Sequence, residues 1–346
     1  MISRNFAILL GIFIGSGVAF SEEESPASHK VIEFEDLEGW NDDDHRSALN
    51  AFLVTCPDLD EMDWASLCAL AQQKPDAKSF FELFFRPMLI EDGKSALFTG
   101  YFEPELSGSL RPSARFRYPV YAQPPESRGA GAWYTREQIE TNGVMLGRGL
   151  ELAWVDDPVE LFFMHIQGSG RIRLQDGKVM RVGYAGKNGH EYRSVGKELV
   201  RRGVYEAHQV SAQVIKNWVR RNPGPGQSLL WHNPSYVFFR RIDKVPSELG
   251  PLGAMNRPVT AGRTIAADPA FVPLGAPVWI EKDGAEPVRR LMVAQDTGSA
   301  INGAQRADIF IGSGDQAGRV AGMLMDPGRM VVLMPIQRAY SMETGP

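Results

Sequence analysis

Apolar residues recur at helical spacing in three early stretches, SALNAFLVTC, DWASLCALAQ and DAKSFFELFFRPML, each with Ser or Asp near its start. Positions three and four apart share one helix face, and a short polar side chain at the start caps free amides. Residues 33–93 therefore read mainly as helix, with Phe80, Phe81, Leu83, Phe84 and Phe85 as core. From Ala96 the period changes. ALFTGYFEPEL, YPVYAQP, LFFMHIQGSGRIRL, KVMRVGYAG, PVTAGRTIAAD, APVWIEKD, RRLMVAQD and ADIFIGSG are short apolar or alternating runs divided by Gly, Pro, Asn and Asp. That is a strand pattern, and it makes His165 a strand residue. One helical stretch, 196–221, interrupts it, split near Gly203, and NPGPG at 222–226 breaks the chain. The class read from pattern is mainly β with flanking helices.

The first residues have a different character. MISRN is followed by the apolar FAILLGIFIGSGVAF and then SEEE. Small residues at Ala19 and Ser21 place signal-peptide cleavage after Ser21, giving residues 1–21 as an export signal. The run is short for a membrane span, and no Cys follows it to carry a lipid. Residues 22–32 are polar and read as disordered. In an oxidising compartment Cys56 and Cys68, 12 apart, can pair; the other reading is two buried free thiols.

Composition narrows the function classes. The chain has 346 residues, 43% apolar content and a net charge of −5, with no long basic run, so nucleic acid is not an expected partner. The six His residues are scattered, without HExxH or a His/Cys cluster, so neither a metal nor a cofactor is expected. No GxSxG elbow occurs. Residues 307–335 read as strand, GxGxxxG turn, helix and strand, close to a dinucleotide-binding unit. Against that reading, RMVVLMP does not end on an acidic residue, and Asp308 puts a charge at the start of a strand that should be fully buried.

Three carboxylates remain as candidate chemistry. Asp268 precedes Pro, and Asp296 precedes Thr-Gly, so turn-forming roles compete with functional ones. Asp308 opens DIFIG with no turn residue after it, and an isolated carboxylate there needs a partner or a function.

Six ordered segments carry a resemblance: GYFEP (100–104), ELAWVDDPVELFFMHIQGSGRIRL (151–174), VGYAGKNGHEYRSVGKEL (182–199), NPSYVFF (233–239), GPLGAMNRPVTAGRTIAADPAFVPLG (250–275) and VAQDTGSAINGAQRADIFIGSG (293–314). Together they resemble the membrane-bound lytic murein transglycosylase A family. The resemblance implies a double-psi β-barrel domain, placed at 22–105 and 240–346 with the N-terminal helices, and a second β domain inserted at 106–239. A groove between the two holds a glycan strand. It implies cleavage of the β-1,4 bond between N-acetylmuramic acid and N-acetylglucosamine without water, the muramic C6 hydroxyl closing a 1,6-anhydro ring. A hydrolase needs two carboxylates. An internal nucleophile leaves work for one, acid first and then base.

By its place in RADIF, Asp308 matches the family's catalytic residue. Asp296 is a supporting charge, Asp268 a supporting or structural one, and Arg306 shares the face of Asp308. Tyr101, Phe102, Gln167, Ser169, Tyr184 and Asn188 are the expected glycan contacts, with core packing the alternative for each aromatic. The implied partner is peptidoglycan; cell-wall synthesis or degradation partners and the oligomeric state stay open. The expected location is the periplasm, with outer-membrane or wall association not requiring a lipid-bearing Cys. A non-catalytic wall-binding protein and a hydrolytic muramidase remain the competing readings.

Overall fold

The computed structural model describes residues 27–129, 131–246 and 248–343. The export signal expected at 1–21 lies outside them. Three strands come first: β1 (Ser28–Val31), β2 (Phe85–Glu91) and β3 (Leu97–Glu103). Six more follow in an insert: β4 (Glu105–Ser109), β5 (Tyr118–Tyr121), β6 (Glu151–Val155), β7 (Gly170–Leu174), β8 (Val179–Lys187) and β9 (Val237–Ile242). The chain then returns with β10 (Thr264–Ala267), β11 (Pro277–Lys282), β12 (Val288–Asp296), β13 (Arg306–Ser313), β14 (Met325–Asp326) and β15 (Gly328–Pro335).

The first sheet runs β1-β2-β15-β11-β12-β10-β13-β3-β14. Its last strand, β14, is separated by one residue from β15, which lies on the other side of β11. The sheet therefore curls back on itself as a nearly closed six-stranded barrel, β15-β11-β12-β10-β13-β3, with β14 bridging the gap. Strands from both ends of the chain build it, and β3 and β13 pair in parallel. Its main core holds Trp279, Phe52, Phe80, Phe81 and Phe85, all nearly or fully buried. The early helices His45–Thr55, Met62–Ala71 and Ala77–Phe84 contribute to it, and Asp44 and Asp76 cap the first and third by accepting from Ser47 and Ser79 amides. Cys56 and Cys68 are joined by a disulfide with Cα atoms 5.4 Å apart, tying the end of the first helix to the second.

The insert sheet runs β5-β6-β4-β7-β8-β9 over a separate core of Leu106, Val120, Ile172, Val182 and Phe239. At the junction Glu103, fully buried at the end of β3, meets two guanidinium groups of the insert. Arg171 Nε lies 2.7 Å from Oε2 and Arg181 Nε 2.8 Å from Oε1. Ser313 Oγ, at the end of β13, donates to Oε2 at 2.8 Å. One carboxylate thus ties both strands of the barrel wall to the insert.

The structure departs from the sequence pattern in five places. Ser28–Val31 is a strand on β2 rather than disordered; its polar residues suit an edge. FRPML leaves the third helix and becomes β2, with Pro87 pairing Leu333. Leu83, expected in the core, is 65% exposed, because that helix turns only its Phe80 and Phe81 face inward. LFFMHIQ is helix, Pro158–Gln167: Asp157 accepts from the Val159 and Glu160 amides, Pro158 opens the first turn, and Gly168 at φ 75° closes the last. A run apolar at nearly every position has no period to separate helix from strand. NPGPG does break the 212–221 helix, but it also starts another, Pro223–His232. The 196–221 stretch is two helices, Val195–Arg201 and Ala212–Arg221, parted at Gly203 and the residues after it.

Candidate active site

Register builds the site. Ala266 on β10 pairs with Asp296 on β12 at one side and with Asp308 on β13 at the other. Asp308 pairs in turn with Thr99 on β3, and Thr99 with Met325 on β14. Side chains of directly paired residues point to the same face of a sheet. Asp296, Ala266, Asp308, Thr99 and Met325 therefore form one row across the barrel wall, with a methyl group between the two carboxylates. One step along the strands, Tyr101 and Phe310 pair on the same face, rings 5.1 Å apart. With Val259, Ala266 and Ile301 they make a small buried apolar cluster beside the row.

The two carboxylates are held differently. Asp296 accepts three hydrogen bonds: Ala254 N–H at 2.9 Å and Thr297 N–H at 2.9 Å on Oδ1, and Tyr101 O–H at 3.0 Å on Oδ2. Burial pushes its pKa up to about 6 against those donors, and the charge of Asp308 adds to the rise. Asp308 receives one donor, Thr99 O–H at 2.7 Å on Oδ1. No hydrogen bond from a described residue reaches its Oδ2. Burial raises its pKa as well; the Thr99 bond and the Arg306 charge act against the rise. Asp296 thus has both oxygens committed to donors, whereas Asp308 keeps Oδ2 open, and burial raises the pKa of each. The loop bearing Ala254 comes this close because residue 253 is glycine: a Cβ there would lie 2.7 Å from Gln295 O and 3.3 Å from Asp296 Cγ.

The third aspartate stands apart. Asp268 Oδ1 accepts from Ala270 N–H at 3.0 Å, an Asx-type turn, and its Oδ2 accepts from Gly303 N–H at 2.8 Å. It pins the connection between Asp296 and Asp308 and is not part of the row.

The expected glycan contacts divide. Tyr101 is 9% exposed, so its ring is wall and its hydroxyl orients Asp296; it offers no face for stacking. Burial and the two aspartates raise its phenol pKa well above the ordinary value, keeping the O–H a donor. Asn188 is fully buried and spent: Nδ2 donates to Tyr134 O and Pro234 O at 2.8 Å each, and Oδ1 accepts from Tyr236 N–H. It is a structural residue of the insert. Gln167 Oε1 accepts from Phe102 N–H at 3.0 Å, joining the end of the insert helix to β3. Phe102 is half-buried against Gly318, and Ser169 is mostly buried in the same helix end. Tyr184 is half-exposed on β8 and has a ring face open. Among the described residues no group of three or more His, Cys, Asp or Glu is placed to hold a metal.

The sequence reading missed Thr99. The signal was present: in FTGYF, Thr99 and Tyr101 alternate on one strand face, and a strand beside DIFIG puts both against the aspartates.

A nearly closed barrel with two aspartates in one row of its wall, and a second sheet inserted through the junction at Glu103, defines a class of two-domain protein with a carboxylate site. Residues 97–240 match the MltA specific insert domain, and residues 263–334 match the 3D domain. The first of these matches begins at β3, so it includes one barrel strand. A membrane-bound lytic murein transglycosylase A of Vibrio cholerae is 34% identical over 248 residues, 68% of this chain and 64% of that protein, so the alignment spans just under two thirds of the relative. The crystal structure of a membrane-bound lytic murein transglycosylase from Agrobacterium tumefaciens superposes with a TM-score of 0.81 at 32% identity, covering 91% of this chain and 99% of that one. The structure of Escherichia coli MltA with bound chitohexaose gives 0.70 at 28% identity, over 90% and 95%. The chain belongs to the membrane-bound lytic murein transglycosylase A family.

Proposed function

We propose that this chain is a lytic transglycosylase that cuts the β-1,4 bond between N-acetylmuramic acid and N-acetylglucosamine in peptidoglycan, leaving 1,6-anhydromuramic ends. The observation that carries the reading is the asymmetry of the row: Asp308 has one committed oxygen and one open, whereas Asp296 has both committed. In the first step protonated Asp308 gives its proton from Oδ2 to the glycosidic oxygen as the C1–O bond breaks. Positive charge develops on the sugar ring, and Asp296, mostly ionised at pH 7 with a pKa near 6, lies across Ala266 to meet it. In the second step the C6 hydroxyl attacks C1 and gives its proton to the Asp308 carboxylate. The acid is restored, no water is consumed, and one carboxyl serves both steps because the nucleophile is already attached.

The groove between barrel and insert is the proposed glycan path, with Phe102 on its barrel side and Gln167, Ser169 and Tyr184 on its insert side. Chitohexaose, the ligand of the Escherichia coli relative, is a β-1,4 aminosugar chain of the kind the groove would take. The proposed domains are 22–105 with 240–346, and 106–239, with β4 and β9 extending the insert sheet to Glu105 and Ile242. The relatives are named membrane-bound, and we place this chain in the cell envelope, exported by cleavage after Ser21. Among the described residues no helix is long and apolar enough to cross a membrane.

Digestion of purified peptidoglycan followed by mass spectrometry tests the proposal. Anhydromuramic ends support it. Reducing ends one water heavier would make the chain a hydrolase, and an undigested wall would leave it a binding protein.

A further inference from the structure

Arg306 stands two residues before Asp308 on β13 and on the same face, yet it does not pair with that aspartate directly. Its Nη1 donates to the backbone carbonyls of Leu97 (3.1 Å) and Ala307 (2.6 Å), and its Nη2 donates to Thr99 Oγ1 at 2.8 Å. Thr99 Oγ1 lies 2.7 Å from Asp308 Oδ1. A guanidinium only donates, whereas a hydroxyl has one proton and two lone pairs. With Arg306 donating into one lone pair of Thr99, the Thr99 proton has one partner among the described residues, Asp308 Oδ1. The hydroxyl could accept from the acid only through its second lone pair, which would turn its own proton away from that partner.

We propose that Arg306, acting through Thr99, is a positioning residue that keeps the catalytic proton of Asp308 on Oδ2, the oxygen open to substrate. The inference rests on the transglycosylase reading above. Without the relay, Asp308 has two nearly equivalent protonated forms, and the one with its proton on Oδ1, donating to Thr99, is unproductive. With it, the Oδ1 form would leave the Thr99 proton without the partner it has in the Oδ2 form, so each turnover returns the proton to the working oxygen. Holding the guanidinium one hydroxyl away also matters. A direct ion pair would favour the ionised carboxylate strongly and lower the pKa that burial raises. Two further groups face Asp308: Asp296 on β12 across Ala266, and the Tyr101 phenol on β3. The phenol stays neutral and the Asp308 charge raises the pKa of Asp296, while the Arg306 charge acts on Asp308 in the opposite sense to burial.

The test is a double-mutant cycle of Arg306→Met and Thr99→Val in the full chain, with Arg306→Lys as the conservative variant. Each single variant should lower kcat on peptidoglycan about tenfold, the worth of one hydrogen bond to a charged group, with KM unchanged. The double variant should be no slower than Thr99→Val alone, because Arg306 places the proton through that hydroxyl. Arg306→Lys should recover most of the rate, since an ammonium still only donates. Independent losses that multiply, or a loss confined to KM, would overturn the proposal. Infrared spectra of the protonated Asp308 carboxyl give a reading that needs no turnover: wild type should show one C=O band, lowered by the Thr99 bond, and Arg306→Met a second band from the Oδ1-protonated form; a single unchanged band would also overturn the proposal. A wild-type protein that makes no anhydro ends would sink the reaction, while these spectra would still decide the relay.

Discussion

At the residue scale the two carboxylates predict opposite mutational behaviour. Asp308→Asn keeps the acceptor for Thr99 and removes the transferable proton, so turnover should fall by at least the ~10²–10⁴-fold that general acid–base catalysis contributes, with wall binding retained in a pull-down. Asp296→Asn should cost less rate. Its amide oxygen still accepts from Ala254 and Thr297, and its NH2 can donate to the Tyr101 hydroxyl. It should also change stability with pH, in a sign fixed by linkage. The folded pKa of Asp296 is raised from the ordinary 3.8 to about 6. Between those values the folded state binds more protons than the unfolded one, so wild-type stability falls as pH rises through the window, by about 3 kcal/mol in all. Thermal melts at pH 4 and pH 8 should therefore converge in Asp296→Asn, which should melt above wild type at pH 8; equal pH dependence in both would count against the raised pKa. The aspartates were legible in the sequence as carboxylates at strand ends, and family resemblance singled out Asp308. Thr99 and the loop at Ala254 were not, because hydrogen-bond partners from distant segments depend on register.

At the element scale, alternation found the barrel strands β10 to β13, where each is short and bounded by turn residues. It failed at LFFMHIQ, whose uniform apolarity hides the period, and at FRPML, where a helix passes directly into an edge-paired strand. The disulfide between the first two helices also belongs to this scale. Its short loop should contribute about 3 kcal/mol, mainly by restricting the unfolded chain. Cys56→Ser with Cys68→Ser should lower the unfolding free energy by that amount and the denaturation midpoint with it, and reductant should lower the wild-type midpoint while leaving the variant unmoved. A midpoint indifferent to reductant in wild type would show that the bridge adds no stability.

At the scale of the whole molecule, the mutual position of barrel and insert rests on Glu103. Its carboxylate is buried between Arg171 and Arg181, whose side chains are 18% and 6% exposed. Breaking such a cluster from one side leaves uncompensated charge, so Glu103→Ala should cost about 3–5 kcal/mol in denaturant unfolding. Glu103→Leu combined with Arg181→Met should cost less; equal losses would mean that burial of the charge is not the cause. The sequence did not mark Glu103 as special, since its two arginine partners lie 68 and 78 residues further along the chain. A different consequence follows from the way the barrel is woven from both halves of the chain. β3, with Thr99, leaves the ribosome early, but its partners β13 and β14 follow only after the whole insert sheet has been made. The aspartate row therefore has no partial form. A nascent or truncated chain carries Thr99 without Asp308, so the proposed cleavage activity can arise only when synthesis is nearly complete.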